Sequence, residues 1–445
     1  MNINMEAFDQ FREGVSRLPE MIPPAPEMAD DERVRRFKKT IIESVAPHQA
    51  MDLETCVHCG ACAEACHYYV ATQDAKYTPI RKLDMLRRVY RRELGPNRWL
   101  HKLLTRDITA EELEEWQELV YDSCTECGRC SLICPMGIHI QDMIIMSREA
   151  LASAGLAVAE QRALAQEQGE KDTMFGMGKD MFMQGVERLR QSGLEVPVDQ
   201  PDSEILVVST VMDAALFNDA MEGTVKIMNS LGRPWTMSTC GFEGANFGYM
   251  AGYYEYRKDA TMRVISAAID LGVKTVIAPE CGHAYPALRW DGAAVYGKPF
   301  PFEVLAISEF IGREMKAGNL KVKPAFSGQK VTYHDPCKLG RMGGVFDEPR
   351  EALKALGVDL VEMDVNRQQS YCCGGGAGNF IINRAAPLRA KVWELKRGQF
   401  DQTGADTVVT SCDSCRVNFM VGAQDTHWEK PIESLAALVG ANLAE

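Results

Sequence analysis

The sequence predicts an α + α/β chain, a helical module with two cysteine runs followed by a duplicated α/β module with pseudo-twofold repeats. Three observations lead there. The run Cys56-x2-Cys59-x2-Cys62-x3-Cys66 recurs as Cys124-x2-Cys127-x2-Cys130-x3-Cys134, on either side of an insert with helical apolar spacing. From Ser203 onward, short apolar runs alternate with amphipathic stretches, the pattern of strand–helix units. Finally, Cys240-Gly241-Phe242-Glu243-Gly244-Ala245-Asn246-Phe247 aligns without gaps to Cys373-Gly374-Gly375-Gly376-Ala377-Gly378-Asn379-Phe380, agreeing at the Cys, the first Gly, the Asn and the Phe. The expected division is an arm and helix over 1–50, the helical module over 51–150 and a helical linker over 151–202. A degenerate repeat over 203–324 and an intact one over 325–445 complete it.

Taking the chain in order, residues 1–50 read as a polar leader with one helix, Ala29 to Val45, after an extended proline-rich stretch from Leu18 to Pro26 that could lie on a partner or on its own protein. Each cysteine run then has the spacing of a bacterial ferredoxin, whose triplet wraps three iron corners while the fourth cysteine reaches the other cluster. Cys56, Cys59, Cys62 and Cys134 are therefore expected at one cubane 4Fe–4S cluster. Cys124, Cys127, Cys130 and Cys66 are expected at the second. A zinc ribbon would use two CxxC pairs rather than four cysteines in one run. Between the runs, Pro79 to Leu94 and Thr109 to Tyr121 read as helices, the latter opened by a capping box from Thr109 to Glu112. The basic cluster Arg87, Arg88, Arg91 and Arg92 reads as a solvated face or a dock for an acidic partner. In the linker, Met174, Met177, Met181 and Met183 read as a core stripe rather than the adaptable docking surface that methionines can also make.

The α/β half is expected to hold strands at Ile205–Thr210, Thr236–Ser238 and Lys274–Ala278, with helices at Ala214–Leu231, Thr261–Leu271 and Val304–Met315. After Lys330 the order repeats and five cysteines appear at strand ends: Cys337, Cys372, Cys373, Cys412 and Cys415. Strand ends of an open α/β sheet share one edge, where such folds put their chemistry. Adjacent cysteines suit a tetrahedral zinc poorly, so an iron–sulfur cluster of unusual shape is expected. Gly374, Gly375 and Gly376 would let backbone approach it and give N–H donors to its sulfurs. The first copy keeps only Cys240 and Cys281, so one such cluster is expected, not two. Cys240, Cys281 and the nearby His283 are relics or face the intact cluster and handle substrate sulfur, His283 as a proton donor or metal ligand. His334 is similarly placed and reads as a core histidine.

Composition bounds the rest. The 445 residues are enough for about three domains. A net charge of −13 argues against nucleic-acid binding and a polybasic anchor. No stretch is apolar enough to span a membrane, and the first residues lack a signal-peptide core. Fifteen cysteines in metal-type spacings point to the cytoplasm and to ligating thiolates.

The five-cysteine pattern resembles the CCG domain of heterodisulfide reductases, and the earlier module is similar to the helical ferredoxin module of succinate dehydrogenase iron–sulfur subunits. Their fusion resembles the D-type component of heterodisulfide reductases, with one degraded repeat as in the DsrK branch. That resemblance implies a non-cubane 4Fe–4S cluster on Cys337, Cys372, Cys373, Cys412 and Cys415 that reduces disulfides. It also implies a membrane haem-b subunit as partner, a DsrC-like protein disulfide or trisulfide as substrate, and peripheral attachment to the cytoplasmic face of the inner membrane. Glycerol-3-phosphate dehydrogenase and glycolate oxidase iron–sulfur subunits share the two modules, which keeps open service to a flavoprotein dehydrogenase. A pure electron relay is the remaining alternative.

Overall fold

The computed structural model describes residues 5–444, and helices occupy most of the first 200 of them. Helix Asp30–Ser44 opens with Asp30, Asp31 and Glu32, which favour the positive end of the helix dipole, and buries Phe37 and Ile41 one turn apart. The first fifty residues hold more helix than the sequence suggests. Met5–Met21 is helical through Pro19, and only the stretch after Met21 is extended. That helix lies on the chain's own C-terminal part. Phe8 and Val15 are buried, Arg12 meets Asp425 at 2.7 Å, and Asn383 Nδ2 donates to the Val15 carbonyl at 2.8 Å.

The stretch expected as one helix over Pro79–Leu94 is two, Pro79–Lys82 and Asp84–Glu93. The break has a visible cause: Trp116 Nε1 donates to the Lys82 carbonyl at 2.9 Å, which removes it from the helical ladder. Thr109 and Glu112 cap helix Ala110–Tyr121 reciprocally, at 3.2 and 3.0 Å. Three of the four basic residues are engaged within the protein rather than solvated or free to dock. Arg87 is buried, Arg88 pairs with Glu112 at 2.6 Å, and Arg92 donates to the Thr105 carbonyl. Among the described residues, Arg91 alone of the four makes no ion pair. The linker methionines pack into or against the main core, with Met174 fully enclosed.

Eight short strands follow among the described residues: β1 Ile205–Val207, β2 Trp235–Thr236, β3 Thr275–Ala278, β4 Glu303–Ala306, β5 Lys330–His334, β6 Asp359–Leu360, β7 Thr407–Thr410 and β8 Ile432–Ser434. They form two parallel sheets, ordered β2-β1-β3-β4 and β6-β5-β7-β8. Each sheet has helices on both faces, so its strands read as apolar runs. One element differs in kind: the stretch expected as a helix from Val304 begins as strand β4, and helix Ile307–Lys316 starts only after it. Val304, Leu305 and Ala306 form a buried β run with no helical period of their own.

The sheets interlock through their helices. Helix Asn218–Ser230 of the first half packs on Leu435–Ala441 at the end of the second, and Ile307–Lys316 packs on Asp347–Ala355. At the first crossing a Cβ on Gly440 would lie 2.4 Å from Gly223 Cα, so backbone touches backbone there. Both sheets turn their C-terminal strand edges inward: Asp413 N–H, past β7, donates to the Glu280 carbonyl, past β3, at 2.6 Å.

Candidate metal centre

The two cysteine runs fold alike. His58 and Glu126, each just before the second cysteine of its run, take positive φ, as do Gly60 and Gly128 just after it. Each glycine starts a single helical turn, Ala61–Ala65 or Arg129–Ile133, and the two turns pack together. The runs thereby exchange their last cysteines. Cys66, Cys124, Cys127 and Cys130 line one cavity with Tyr68, Lys82 and Ile144. Burial pushes the Cys62 thiol up to about 11, with Cys56, Cys134 and Cys59 close enough to add to the shift. Cys59 is exposed, Cys127 buried.

The third group of cysteines lies deeper. β5 and β7 deliver Cys337 and Cys412 at their C-terminal ends, helix Asp413–Asp425 carries Cys415, and the segment after β6 brings Cys372 and Cys373. Cys372, Cys373, Cys412 and Cys415 are all buried. The hydrogen bonds that the Cys372 thiol makes with Cys127, Cys337 and Cys373 push it up, and as donor it holds Cys127 and Cys373 low. The Gly374 and Gly375 N–H groups point at the sulfurs of Cys372 and Cys373, at 3.5 and 3.4 Å. A Cβ on Gly375 would lie 2.8 Å from the Ser414 carbonyl, and one on Gly376 3.3 Å from the Thr125 carbonyl.

The second cysteine run and the five-cysteine group share a wall. Ligand atoms of His67, Cys127 and Cys372 lie within 4.8 Å of one another, and Thr125 Oγ1 donates to Cys372 Sγ at 3.2 Å. Arg341 ties the two loops by donating to the Cys127 carbonyl at 2.6 Å. Arg148, fully buried, binds the carbonyls of Cys124, Met250 and Ala377 and meets Glu126 at 3.0 Å, so one side chain joins the helical module to both sheet halves.

Of the three residues expected from the first repeat, the structure brings two to this group. Cys281 is buried with Cys412 nearby, and a Cβ on Gly282 would sit 3.3 Å from Cys412 Sγ. His283 Nε2 accepts the Ala377 N–H at 2.9 Å, so its proton resides on Nδ1, which has no partner among the described residues. Burial keeps this imidazole neutral. Cys240 is exposed and stays out, its loop held by Ser238 and by Asp199 through Thr239. His334 is buried against Phe419, has no hydrogen-bond partner among the described residues, and is held neutral by burial as a core ring.

The first half fills the corresponding space with its own side chain. Glu243 aligns with Gly376, and its carboxyl accepts the N–H groups of Val211 and Ala245 at 2.8 and 2.7 Å. Burial pushes it up to about 8.

Sequence reasoning passes over two lysines. Lys338 follows Cys337 directly and is buried beside Tyr249 and Glu126. Lys396 is fully buried, and burial, partly offset by Cys373, Asp335 and Cys415, pulls it down to about 8. The pattern carries a signal for it: with Val392, Trp393 and Phe400 it occupies the buried register of helix Ala386–Thr403.

Residues 52–138 match the model of a 4Fe-4S dicluster domain and residues 331–420 that of a cysteine-rich domain, CCG. An Hdr-like menaquinol oxidoreductase iron-sulfur subunit of Archaeoglobus profundus is 26% identical over 89% of this chain and 80% of its own. The D component of the dihydromethanophenazine:CoB–CoM heterodisulfide reductase of Methanosarcina acetivorans is 28% identical over 89% of this chain and 95% of its own. The chain is thus similar to heterodisulfide reductase-like iron–sulfur subunits and carries a 4Fe-4S dicluster domain and a CCG domain. An EtfAB:quinone oxidoreductase of Syntrophomonas wolfei is also similar, 26% identical over 86% of this chain and 57% of its own. No helix among the described residues is long and apolar enough to cross a membrane.

Proposed function

We propose that this chain passes electrons between a membrane quinone or haem-b partner and a sulfur–sulfur bond at the five-cysteine site. The observation that carries this is the contact of Cys127 with Cys372, which joins the second cysteine run to the five-cysteine group behind an exposed Cys59. The thiolates fit iron–sulfur clusters: four line one cavity, and backbone N–H groups point at the sulfurs of the Cys-Cys pair. Cys56, Cys59, Cys62 and Cys134 would hold one cubane, Cys124, Cys127, Cys130 and Cys66 the other. Cys337, Cys372, Cys373, Cys412 and Cys415 would hold a non-cubane 4Fe–4S cluster. When bound, these groups supply one-electron transfer and the means to cleave a disulfide.

The residues of the chain do the rest. Burial excludes water from the site. Gly374 and Gly375 orient the Cys-Cys pair, while Lys338 and Lys396 set positive charge beside the thiolates. Opposite Cys412, Cys281 and His283 form the wall contributed by the first repeat, and the neutral His283 offers its Nδ1–H as a hydrogen-bond donor to a departing thiolate. The overall change is RS–SR′ + 2e⁻ + 2H⁺ → RSH + R′SH, with a small protein of the DsrC kind as the disulfide or trisulfide carrier. The degenerate repeat would hold no cluster, since Glu243 fills its cradle. A gene duplication with pseudo-twofold repeats accounts for the shared strand order and the reciprocal helix packing. The protein would work in the cytoplasm, attached peripherally to the inner face of the membrane.

The test is EPR on the oxidised protein with and without a protein thiol. A signal that moves on thiol addition and disappears in Cys373→Ala, with the cubane signals retained, supports the proposal. Signals that ignore thiol in every state would leave an electron relay. A second reading follows from the similarity to an EtfAB:quinone oxidoreductase: electrons would arrive from a flavoprotein. A flavin subunit co-purifying with the chain would favour it.

A further inference from the structure

Among the described residues, nothing covers the apolar face of helix Arg98–Leu104. Trp99 is 69% exposed, Leu100 37%, Leu103 76% and Leu104 70%, and these four positions fall on one side of the helix. Arg98, His101 and Lys102 occupy the other side. Isolated exposed leucines need no explanation, but four large apolar side chains on a two-turn helix make a patch. The surroundings are as distinctive as the helix. Residues 87–106 hold seven Lys or Arg and one Glu, within a chain whose net charge is −13. Most of these cations are spent internally, Lys102 on Glu93 and Arg106 on Glu112, whereas Arg91 and Arg98 make no ion pair among the described residues.

We propose that Arg98–Leu104 is an interfacial helix that seats on an anionic phospholipid surface. An apolar face with a tryptophan, backed by basic residues, matches the boundary between acyl chains and headgroups. The unpaired Arg91 and Arg98 complement anionic headgroups, which the rest of this acidic chain would repel. The helix packs on Asp84–Glu93, which also contacts Pro47–Thr55, the helix leading into Cys56. A Cβ on Gly95, in the turn between them, would lie 3.5 Å from Glu54 Oε1. Seating the helix therefore brings the first cysteine run, with its exposed Cys59, to the membrane side. The proposal rests on the membrane-side part of the function above and is independent of the sulfur substrate.

The experiment is flotation of the full cluster-loaded chain with phosphatidylcholine vesicles, with and without phosphatidylglycerol, at low and high salt. The chain should float with the anionic vesicles. Leu103→Ser/Leu104→Ser should lower the bound fraction roughly tenfold. Arg91→Gln/Arg98→Gln should weaken binding at low salt and change little at high salt. Unchanged circular dichroism and visible absorbance establish that these exposed substitutions leave the fold intact. Absence of flotation, or flotation indifferent to both variants, overturns the proposal. So does a helix that fails on vesicles yet is needed to bind a purified membrane subunit, which would make it a protein dock. Vesicle binding does not read electron transfer, so a failure of the proposed reaction would appear separately, as a normal floater that thiol leaves unmoved in EPR.

Discussion

Asp335 follows β5 two residues before Cys337, and its carboxylate is the anchor of that loop. It is 2% exposed, takes Arg350 through two bonds at 2.7 and 2.9 Å, and accepts the Arg367 N–H at 2.7 Å. Replacing Arg350 with Met leaves this buried carboxylate with one backbone donor. Breaking a buried pair from one side costs about 3–5 kcal/mol. Replacing Asp335 with Asn costs less, about 1–3 kcal/mol, because Arg350 keeps Glu362 at 2.6 and 2.9 Å. The double variant should cost less than the two single losses combined, by about 1 kcal/mol or more, since no orphaned charge remains. In an anaerobic thermal scan followed by circular dichroism, about 3 kcal/mol corresponds to a fall in Tm of roughly 6 °C in Arg350→Met, at about 2 °C per kcal/mol for a large domain. Iron content measured alongside should fall with the Cys337 loop. Strict additivity of the three variants would refute the claim that the pair acts as a unit.

Three other outcomes are expected. Gly375→Ala should lose the iron of the five-cysteine site, because the new methyl meets the Ser414 carbonyl and Asn418 Cβ at 2.8 Å, whereas Gly376→Ala should keep most of it; iron counting decides. Thr125→Val removes the hydroxyl donor to Cys372 Sγ and should alter the EPR of the five-cysteine site without touching signals from the first cysteine run. Glu243 is raised from 4.5 to about 8 by burial, so the native state binds a proton that the unfolded state releases in that window. Stability should therefore decline as pH rises from about 4.5 to about 8, and Glu243→Gln should flatten that part of the profile in denaturant titrations.

The cysteine sites are legible because ligation fixes spacing, and spacing survives in sequence. Cys66 and Cys134 can be assigned to the opposite runs from their intervals alone, and the structure groups them that way. The Gly374 and Gly375 donors are legible for the same reason. What depends on contacts distant in sequence is not. The break at Leu83 requires Trp116, more than two helices further along the chain, to occupy a carbonyl. Three of the four arginines from Arg87 to Arg92 look solvated until their structural partners are known. Cys240 and Cys281 occupy matching kinds of position in sequence, yet one is exposed and the other buried, because only the β3 edge abuts Cys412. The strand at Val304 escapes the sequence because three buried residues carry no period.

The meeting of Gly223 with Gly440 has a consequence for how the protein is made. Helix Asn218–Ser230 emerges from the ribosome more than two hundred residues before the helix that covers it. Until then its small-residue face, with Ala220 and Gly223, has no cover, and the first sheet cannot complete its packing. The two halves are thus finished together and late, so insertion of the deepest cluster is bound to the end of translation. Separate expression of the first half should yield an aggregation-prone fragment rather than a domain.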